Sequence, residues 1–288
     1  MITAIILTYN EEIHLQRCLE SIKGLVSRII IVDSFSTDKT SEIANQFNAD
    51  FFQRKFINQA DQLNWALENI EINTDWIIRL DADEYLTPEL YQELKQKINT
   101  IPLEVNALIF KLRVYFMGRW IKYGGYYPMK LLRMWRNGKA KIDNKMMDER
   151  MEVLSGNVIE FENDLVDENL NNLAKWTDKH NNYSTREAVL RLDTKYSFID
   201  KSKIALHKSN KQFYMKLPMF FRAFFYFCYR YFIKRGFLDG KQGLIWHVLQ
   251  GFWYQFLVDA KIFQIEYLAQ KEKKSVKEII EEKFNFKI

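Results

Sequence analysis

The chain has two cysteines in 288 residues, Cys18 and Cys228, which excludes a disulfide framework and a cysteine metal cage and makes a reducing compartment the default. Four prolines and ten glycines are few for this length, so collagen-like and low-complexity organisation is excluded and most of the chain should be regular helix and strand. Hydrophobic residues at 48% and charged residues at 27% exclude a disordered chain. The longest uncharged stretch, 242–258, has seventeen residues and includes three glutamines, His247 and Gly251. A membrane-crossing helix needs about twenty predominantly apolar residues, so attachment to a bilayer surface is expected rather than crossing. The N-terminus has no basic start and no long apolar run, and it reads as a first strand rather than a secretory signal. Neither a Gly-x-Gly-x-x-Gly turn nor a Walker loop is present, so neither a dinucleotide fingerprint nor a P-loop is available.

What is there, over the first hundred residues, is an alternation of short β-branched runs with helical spacing. Strands are expected at 2–8, 28–32, 49–53 and 75–80, and helices at 11–23, after the Ser36-Thr37-Asp38 cap, at 58–70 and after Thr87-Pro88-Glu89. This order predicts an α/β fold whose parallel sheet is covered by helices on both faces, with ligands at the carboxyl ends of the strands. Beyond it, strand-like segments at 107–116 and 129–135 surround glycine turns, and 166–192 reads as helix. Composition shifts near residue 205, which divides the chain into 1–204, the α/β domain, and 205–288, a helical basic and aromatic region.

Three polar clusters follow three of the expected strands: Thr8-Tyr9-Asn10-Glu11-Glu12, Asp33-Ser34-Phe35-Ser36-Thr37-Asp38 and Asp81-Ala82-Asp83-Glu84. The first two offer hydroxyls, amides and carboxylates suited to a nucleoside. The third sets two carboxylates two residues apart, where both can reach one divalent cation; hard oxygen ligands with diphosphate completing the shell suit Mg2+ or Mn2+. Any one cluster alone is common and ordinarily caps a helix or closes a turn. Their order and common strand context point to a nucleotide and metal site.

These clusters resemble the family 2 inverting glycosyltransferases of GT-A fold. Tyr127-Pro128 with Lys130-Leu131-Leu132-Arg133, Met147-Asp148-Glu149-Arg150, His180-Asn181-Asn182-Tyr183-Ser184-Thr185 and Arg235-Gly236-Phe237-Leu238-Asp239-Gly240 resemble the branch that includes lipopolysaccharide-core β-glucosyltransferases. The resemblance implies a Rossmann-like, mostly parallel sheet with a C-terminal helical, membrane-associating extension. It implies that Thr8, Tyr9, Asn10 and Glu11 lie along the uridine, with Asp33 and Ser34 at the base, Gln62 and Asn64 bordering the nucleotide and Asp81 near the ribose. Asp83 would be the main metal ligand, with Asp81 beside it, for Mn2+ or Mg2+. An arginine often found beside Gln62 is absent, so the diphosphate charge falls to Arg79, Lys130 or Arg133. The general base would be Glu149, with Asp148 second. The implied reaction moves a hexose, with glucose favoured, from a UDP-sugar to a lipid-linked, lipopolysaccharide-type or capsule-type saccharide. A catalytically inactive scaffold of the same fold in a polysaccharide assembly complex is the alternative.

His180 and Tyr183 could touch acceptor or phosphates, or serve in capping and packing; Trp120, Tyr123, Tyr126 and Tyr127, around Gly124-Gly125, suit either sugar stacking or packing. Charge is unevenly shared: residues 1–200 carry 25 basic and 30 acidic side chains, and 201–288 carry 17 and 7. Eleven of the twenty residues 213–232 are Phe or Tyr, and 201–241 holds ten basic residues against Asp239 alone. Interleaved cations and rings of this kind suit helices lying in a membrane interface against anionic lipid; the rings are too dense and apolar for a phosphate-tracking nucleic-acid groove, and a core helix pair is the plain alternative. The expected location is cytoplasmic, peripheral on the inner face of a bacterial cytoplasmic membrane.

Overall fold

The computed structural model describes residues 1–142, 151–199, 214, 216–284 and 286. Two compact units are present, one drawn from residues up to Leu170 and the other from Asn171 onward together with Tyr123–Gly125.

In the first unit β1 (Ile2–Thr8) is buried along its whole length, as its unbroken apolar and β-branched run requires. The helix α1 (Leu15–Ile22) buries Leu15, Cys18, Leu19 and Ile22, the spacing of a single helical face. There follow β2 (Arg28–Asp33), α2 (Thr40–Gln46), β3 (Asp50–Gln53), α3 (Gln59–Asn69), β4 (Trp76–Asp81), β5 (Glu84–Leu86) and α4 (Pro88–Lys97). Asn58 caps α3 by accepting from Asp61 N–H, and Thr87 caps α4 by accepting from Leu90 N–H with Pro88 in the first turn. Then come β6 (Val105–Phe116), β7 (Arg119–Trp120), β8 (Met129–Arg136), β9 (Ala140–Ile142), β10 (Met151–Val153) and β11 (Asn157–Glu168).

The main sheet runs β3-β2-β1-β4-β8-β6-β11-β5, with β7 added to β6. Its first four strands are parallel, β8 is antiparallel to both neighbours, β6 and β11 are parallel to each other, and β5 closes antiparallel on β11. The sheet is therefore mixed beyond β4. One face buries Ile6, Ile31 and Leu80 against Leu15, Leu19, Leu90 and Leu94; the other buries Ile5, Ile30 and Ile77 against Leu63 and Ala66. Helices thus cover both faces.

The helical reading of 166–192 meets a different arrangement. Residues 166–168 end β11, and the helix α5 spans Leu173–Tyr196 behind an Asn172 cap. The division between units falls at Leu170/Asn171 rather than at 204/205, because α5 shares a core with later helices. Ala188, Val189 and Leu192 pack with Val258, Ile262 and Ile265 of α8 (Tyr254–Glu272) and with Ile279 and Ile280 of α9 (Val276–Lys283). Between them lie α6 (Phe221–Cys228), a π-helical stretch at Tyr229–Ile233, and α7 (Gly240–Trp246).

Tyr123–Gly125 is built into this second unit by its backbone. Tyr123 N–H donates to Asp239 Oδ2 at 2.9 Å, Gly124 N–H to Lys234 O at 2.9 Å, and Arg230 Nε to Gly124 O at 2.7 Å. The buried His247 ring fills the space a side chain would need at two glycines: a Cβ on Gly124 would lie 2.0 Å from its Cε1, and one on Gly236 2.3 Å from its Nε2. Among the described residues, no helix is long and apolar enough to cross a membrane.

The second unit also holds a fully buried ion pair. Asp259, 0% exposed, accepts from Arg222 Nε at 2.9 Å and from Phe220 N–H at 2.9 Å, and Arg191 lies 3.7 Å away. Removing one partner of such a pair strands the other charge away from water. Asp259→Ala is expected to destabilise this unit by roughly 3–5 kcal/mol in chemical denaturation; a loss under about 1 kcal/mol, the range of exposed pairs, would contradict the role assigned to the pair.

Candidate active site at the carboxyl edge of the sheet

Register brings the polar clusters together. Thr8 pairs with Asp33 across β1 and β2, and Leu7 with Asp81 across β1 and β4, so all three strands end at one edge. Asp33 is completely buried, and its carboxylate accepts from Thr8 Oγ1 at 2.8 Å and from Ser36 N–H at 2.7 Å. The next turn is locked to the first: Asn10 N–H donates to Ser36 Oγ at 2.7 Å, and Asn10 Oδ1 accepts from Thr37 N–H at 2.9 Å. Asn10 and Phe35 both adopt left-handed backbone, with φ of 54° and 61°. Tyr9 and Phe35, 61% and 53% exposed, leave two rings open to solvent at these strand ends.

Ser34 accepts from Gln62 Nε2 at 2.7 Å, so Gln62 joins the second cluster. Asn64 is turned elsewhere, donating to Ile142 O at 3.3 Å in β9. Lys130 pairs with Glu160. Asp148 and Glu149 lie outside the described residues.

The third cluster is held by arginines. Asp81 Oδ1 accepts from Arg79 Nη2 at 3.1 Å and Oδ2 from Arg133 Nη2 at 3.1 Å, while Arg79 also reaches Gln59 Oε1 at 2.9 Å. Arg133 donates as well to Glu84, a buried acid whose other oxygen accepts from Asp81 N–H at 3.0 Å. Burial raises the Glu84 carboxyl to about 7; Arg133 pulls it down and the nearby Asp81 pushes it up. Burial works against the Arg133 cation, yet Glu84 and Asp81 outweigh that and raise its pKa above the ordinary guanidinium value. Arg79 and Arg133 thus serve first as counter-charges to Asp81 and Glu84.

The three residues that follow β11 or end it form a strap across the same edge. Glu168 takes Arg17 Nη1 at 2.5 Å and Tyr85 Oη at 3.2 Å, Asn169 Nδ2 donates to Asp83 Oδ2 at 3.0 Å, and Leu170 N–H donates to His14 Nε2 at 2.8 Å. Because Nε2 of the buried His14 is an acceptor, its ring proton sits on Nδ1 and is donated to Glu11 Oε2, 2.5 Å away. Asn169 and His14 lie outside the three sequence clusters, and Glu84 stands in the third without a role of its own. Glu84 carried a signal in its position two residues before Leu86, on the buried face of a short strand.

A hard cation fits Asp83. The residue is half-buried, and Asn169 orients it through Oδ2. Both oxygens of Asp81 are engaged by arginine, which makes it the weaker donor. No group of three or more His, Cys, Asp or Glu among the described residues makes a complete cage. One or two carboxylates plus substrate phosphates are the usual Mg2+ environment.

The aromatic residues pack. Trp120 meets Tyr127 edge-on at 5.0 Å, with the Arg113 guanidinium 4.7 Å and the Lys122 ammonium 5.1 Å from its centroid. His180 stacks on Trp176 at 3.6 Å.

Comparison with known proteins gives a consistent family. The profile described as Glycosyl transferase family 2 matches residues 3–156. The lipopolysaccharide core biosynthesis glycosyltransferase LpsC of Rhizobium meliloti is 27% identical over 91% of this chain and 92% of its own length. An uncharacterized glycosyltransferase of Rickettsia felis is 39% identical over 33% of this chain, and the match spans about a third, 32%, of that relative. Glucosyl-3-phosphoglycerate synthase of Mycobacterium tuberculosis, solved with Mn2+, UDP and glucosyl-3-phosphoglycerate, is similar at 20% identity and a TM-score of 0.33 over 40% of this chain and 44% of that one.

The Glu84 carboxyl titrates higher in the folded than in the unfolded chain, from 4.5 to about 7, so between these limits the folded protein holds more protons. Its contribution to stability is therefore greatest at low pH and falls as pH rises through this window. Glu84→Gln should flatten the unfolding free energy against pH there by on the order of 1 kcal/mol per pH unit; parallel curves for variant and wild type would exclude it.

Proposed function

The chain belongs to glycosyl transferase family 2, with the GT-A-type α/β fold, and we propose that it transfers a hexose, with glucose favoured, from a UDP-sugar to a lipid-linked or lipopolysaccharide-type saccharide with inversion. The observation that carries this reading is the register at one sheet edge, Thr8 beside Asp33 and Leu7 beside Asp81, which gathers the Asn10 turn, Asp33 and the Asp81–Asp83 carboxylates. The likeness to a lipopolysaccharide core glycosyltransferase over 91% of the chain supports the acceptor class. The cationic, ring-rich stretch 201–241 supports a peripheral position on the inner face of a bacterial cytoplasmic membrane.

In this reading Asp33 and the Asn10–Thr37 turn receive the uridine, and Tyr9 and Phe35 are the rings available to flank it. Asp83, with Asp81 beside it, would hold Mn2+ or Mg2+, and such a cation would supply neutralisation of the charge on the leaving diphosphate. Arg79 and Arg133 hold Asp81 in place. Glu149 takes the proton of the acceptor hydroxyl as its oxygen bonds to the anomeric carbon, with Asp148 the second candidate. The carbon–oxygen bond to UDP breaks with its electron pair on the opposite face, which inverts configuration. A single base suffices, and no covalent sugar intermediate forms.

Glu149→Gln should lower kcat by roughly 100-fold to 10,000-fold with donor binding retained, as removal of a general base does. Asp83→Ala should abolish the rise in thermal stability that Mn2+ adds to a UDP-sugar complex. Near-normal transfer by both variants, or release of pyrophosphate in place of nucleoside diphosphate, refutes the assignment.

A further inference from the structure

Residues 221–233 form a helical run, α6 followed by the π-helical stretch, whose polarity is turned inside out. Its arginines point into the protein. Arg222 is 3% exposed on Asp259, and Arg230 is 8% exposed on Gly124 O and on Tyr226 Oη, 2.8 Å away. Its large apolar residues point out: Phe221, Phe224, Phe225, Phe232 and Ile233 are 65%, 51%, 53%, 56% and 71% exposed. Phe221, Phe224 and Phe225 stand at i, i+3 and i+4, which is one helix face, and Arg222 and Ala223 occupy the buried side. Burying arginine is costly unless it is paired, and exposing phenylalanine to water forfeits the gain from its burial. A run that does both at once is arranged for an outer medium that is not water.

The charges around this face indicate which medium. Lys216, Lys234, Arg235 and Lys241 are exposed, whereas Asp239 and Asp259, the two acids between residues 216 and 265, are buried. A cationic border complements anionic headgroups. Against a second copy of the chain, a two-fold contact would set this border against itself. Thirteen residues at about 1.5 Å each reach about 20 Å, short of a hydrocarbon core of about 30 Å, so the run lies along the surface.

We infer that the outward face of residues 221–233 inserts among the acyl chains at the surface of an anionic bilayer, with Lys234 and Arg235 engaging lipid phosphates. The inference deepens the peripheral-membrane part of the proposed function, and its test uses neither donor nor acceptor, so it can fail while glycosyl transfer stands, or hold while transfer fails. Flotation of the full chain with phosphatidylcholine vesicles, and with vesicles in which a third of the lipid is phosphatidylglycerol, gives the reading. The wild type should bind the anionic vesicles at least about tenfold more tightly than the neutral ones. Phe221→Ser/Phe224→Ser/Phe225→Ser should weaken that binding by at least about tenfold, and Lys234→Glu/Arg235→Glu should remove the preference for anionic lipid. Leu103→Ser, an exposed apolar change in the other unit, should leave binding unchanged. Phe225→Trp, a change at an exposed ring, should show a blue shift in added emission on mixing with anionic vesicles. Undiminished binding by the triple serine variant, no preference for anionic vesicles, or an unshifted Phe225→Trp spectrum would overturn the inference. So would a dimer, seen by light scattering, that the triple variant dissociates while neither protein binds vesicles.

Discussion

Asp81, Asp83 and Glu84 stand within four residues at the end of β4, and two of these three acids keep their places through the guanidinium groups of Arg79 and Arg133. Without those cations, buried Glu84 and half-buried Asp81 would repel each other, and Glu84 would lose the partner that draws its pKa down. With them, the negative charge of the cluster is concentrated on Asp83, the acid that an amide rather than an arginine holds. The two aspartates are therefore held differently, Asp81 by arginines and Asp83 by an amide. One carboxylate is neutralised and structural, and its neighbour two positions on is oriented and available.

The strap at Glu168, Asn169 and Leu170 extends this arrangement to the turn that follows β1. It touches Arg17 and His14 on one hand and Asp83 on the other, and through His14 it fixes Glu11. Consecutive residues at the end of β11 thus set the positions of acids that follow β1 and β4. Preorganisation of this kind spares a binding site the entropy of ordering loops when a ligand arrives.

The local part of this was legible in the sequence. The apolar runs of β1, β2 and β4 announced themselves, and the acids and hydroxyls after each run marked the edge. The parallel pairing of β1 with β2 and β4 followed from the intervening helices. What depends on distant pairing was not legible. Periodicity cannot tell that β8 enters antiparallel, nor that β11, with Glu160, Asp164 and Asp167 along it, is a strand whose charges find partners such as Arg113. Arg133 and Glu84 are 49 residues apart, and nothing local to either names the other. His14 is one polar residue at the start of α1, and its importance lies in Leu170, 156 residues later. A change in composition marks where surface chemistry changes, whereas α5 belongs with the helices it packs against.

The imidazole between Gly124 and Gly236 ties three positions of the chain into one steric constraint, but not symmetrically. Gly236 has an ordinary backbone, but a Cβ there would also lie 3.1 Å from the Arg230 carbonyl oxygen, so an alanine would need both a smaller side chain at 247 and a small shift of that main chain. Gly124, at φ +73°, would stay strained whatever stood opposite it. Among descendants of this sequence, change at 236 is accordingly tied to change at 247 and to the Arg230 main chain, whereas 124 is held by its own main chain and has no compensating partner.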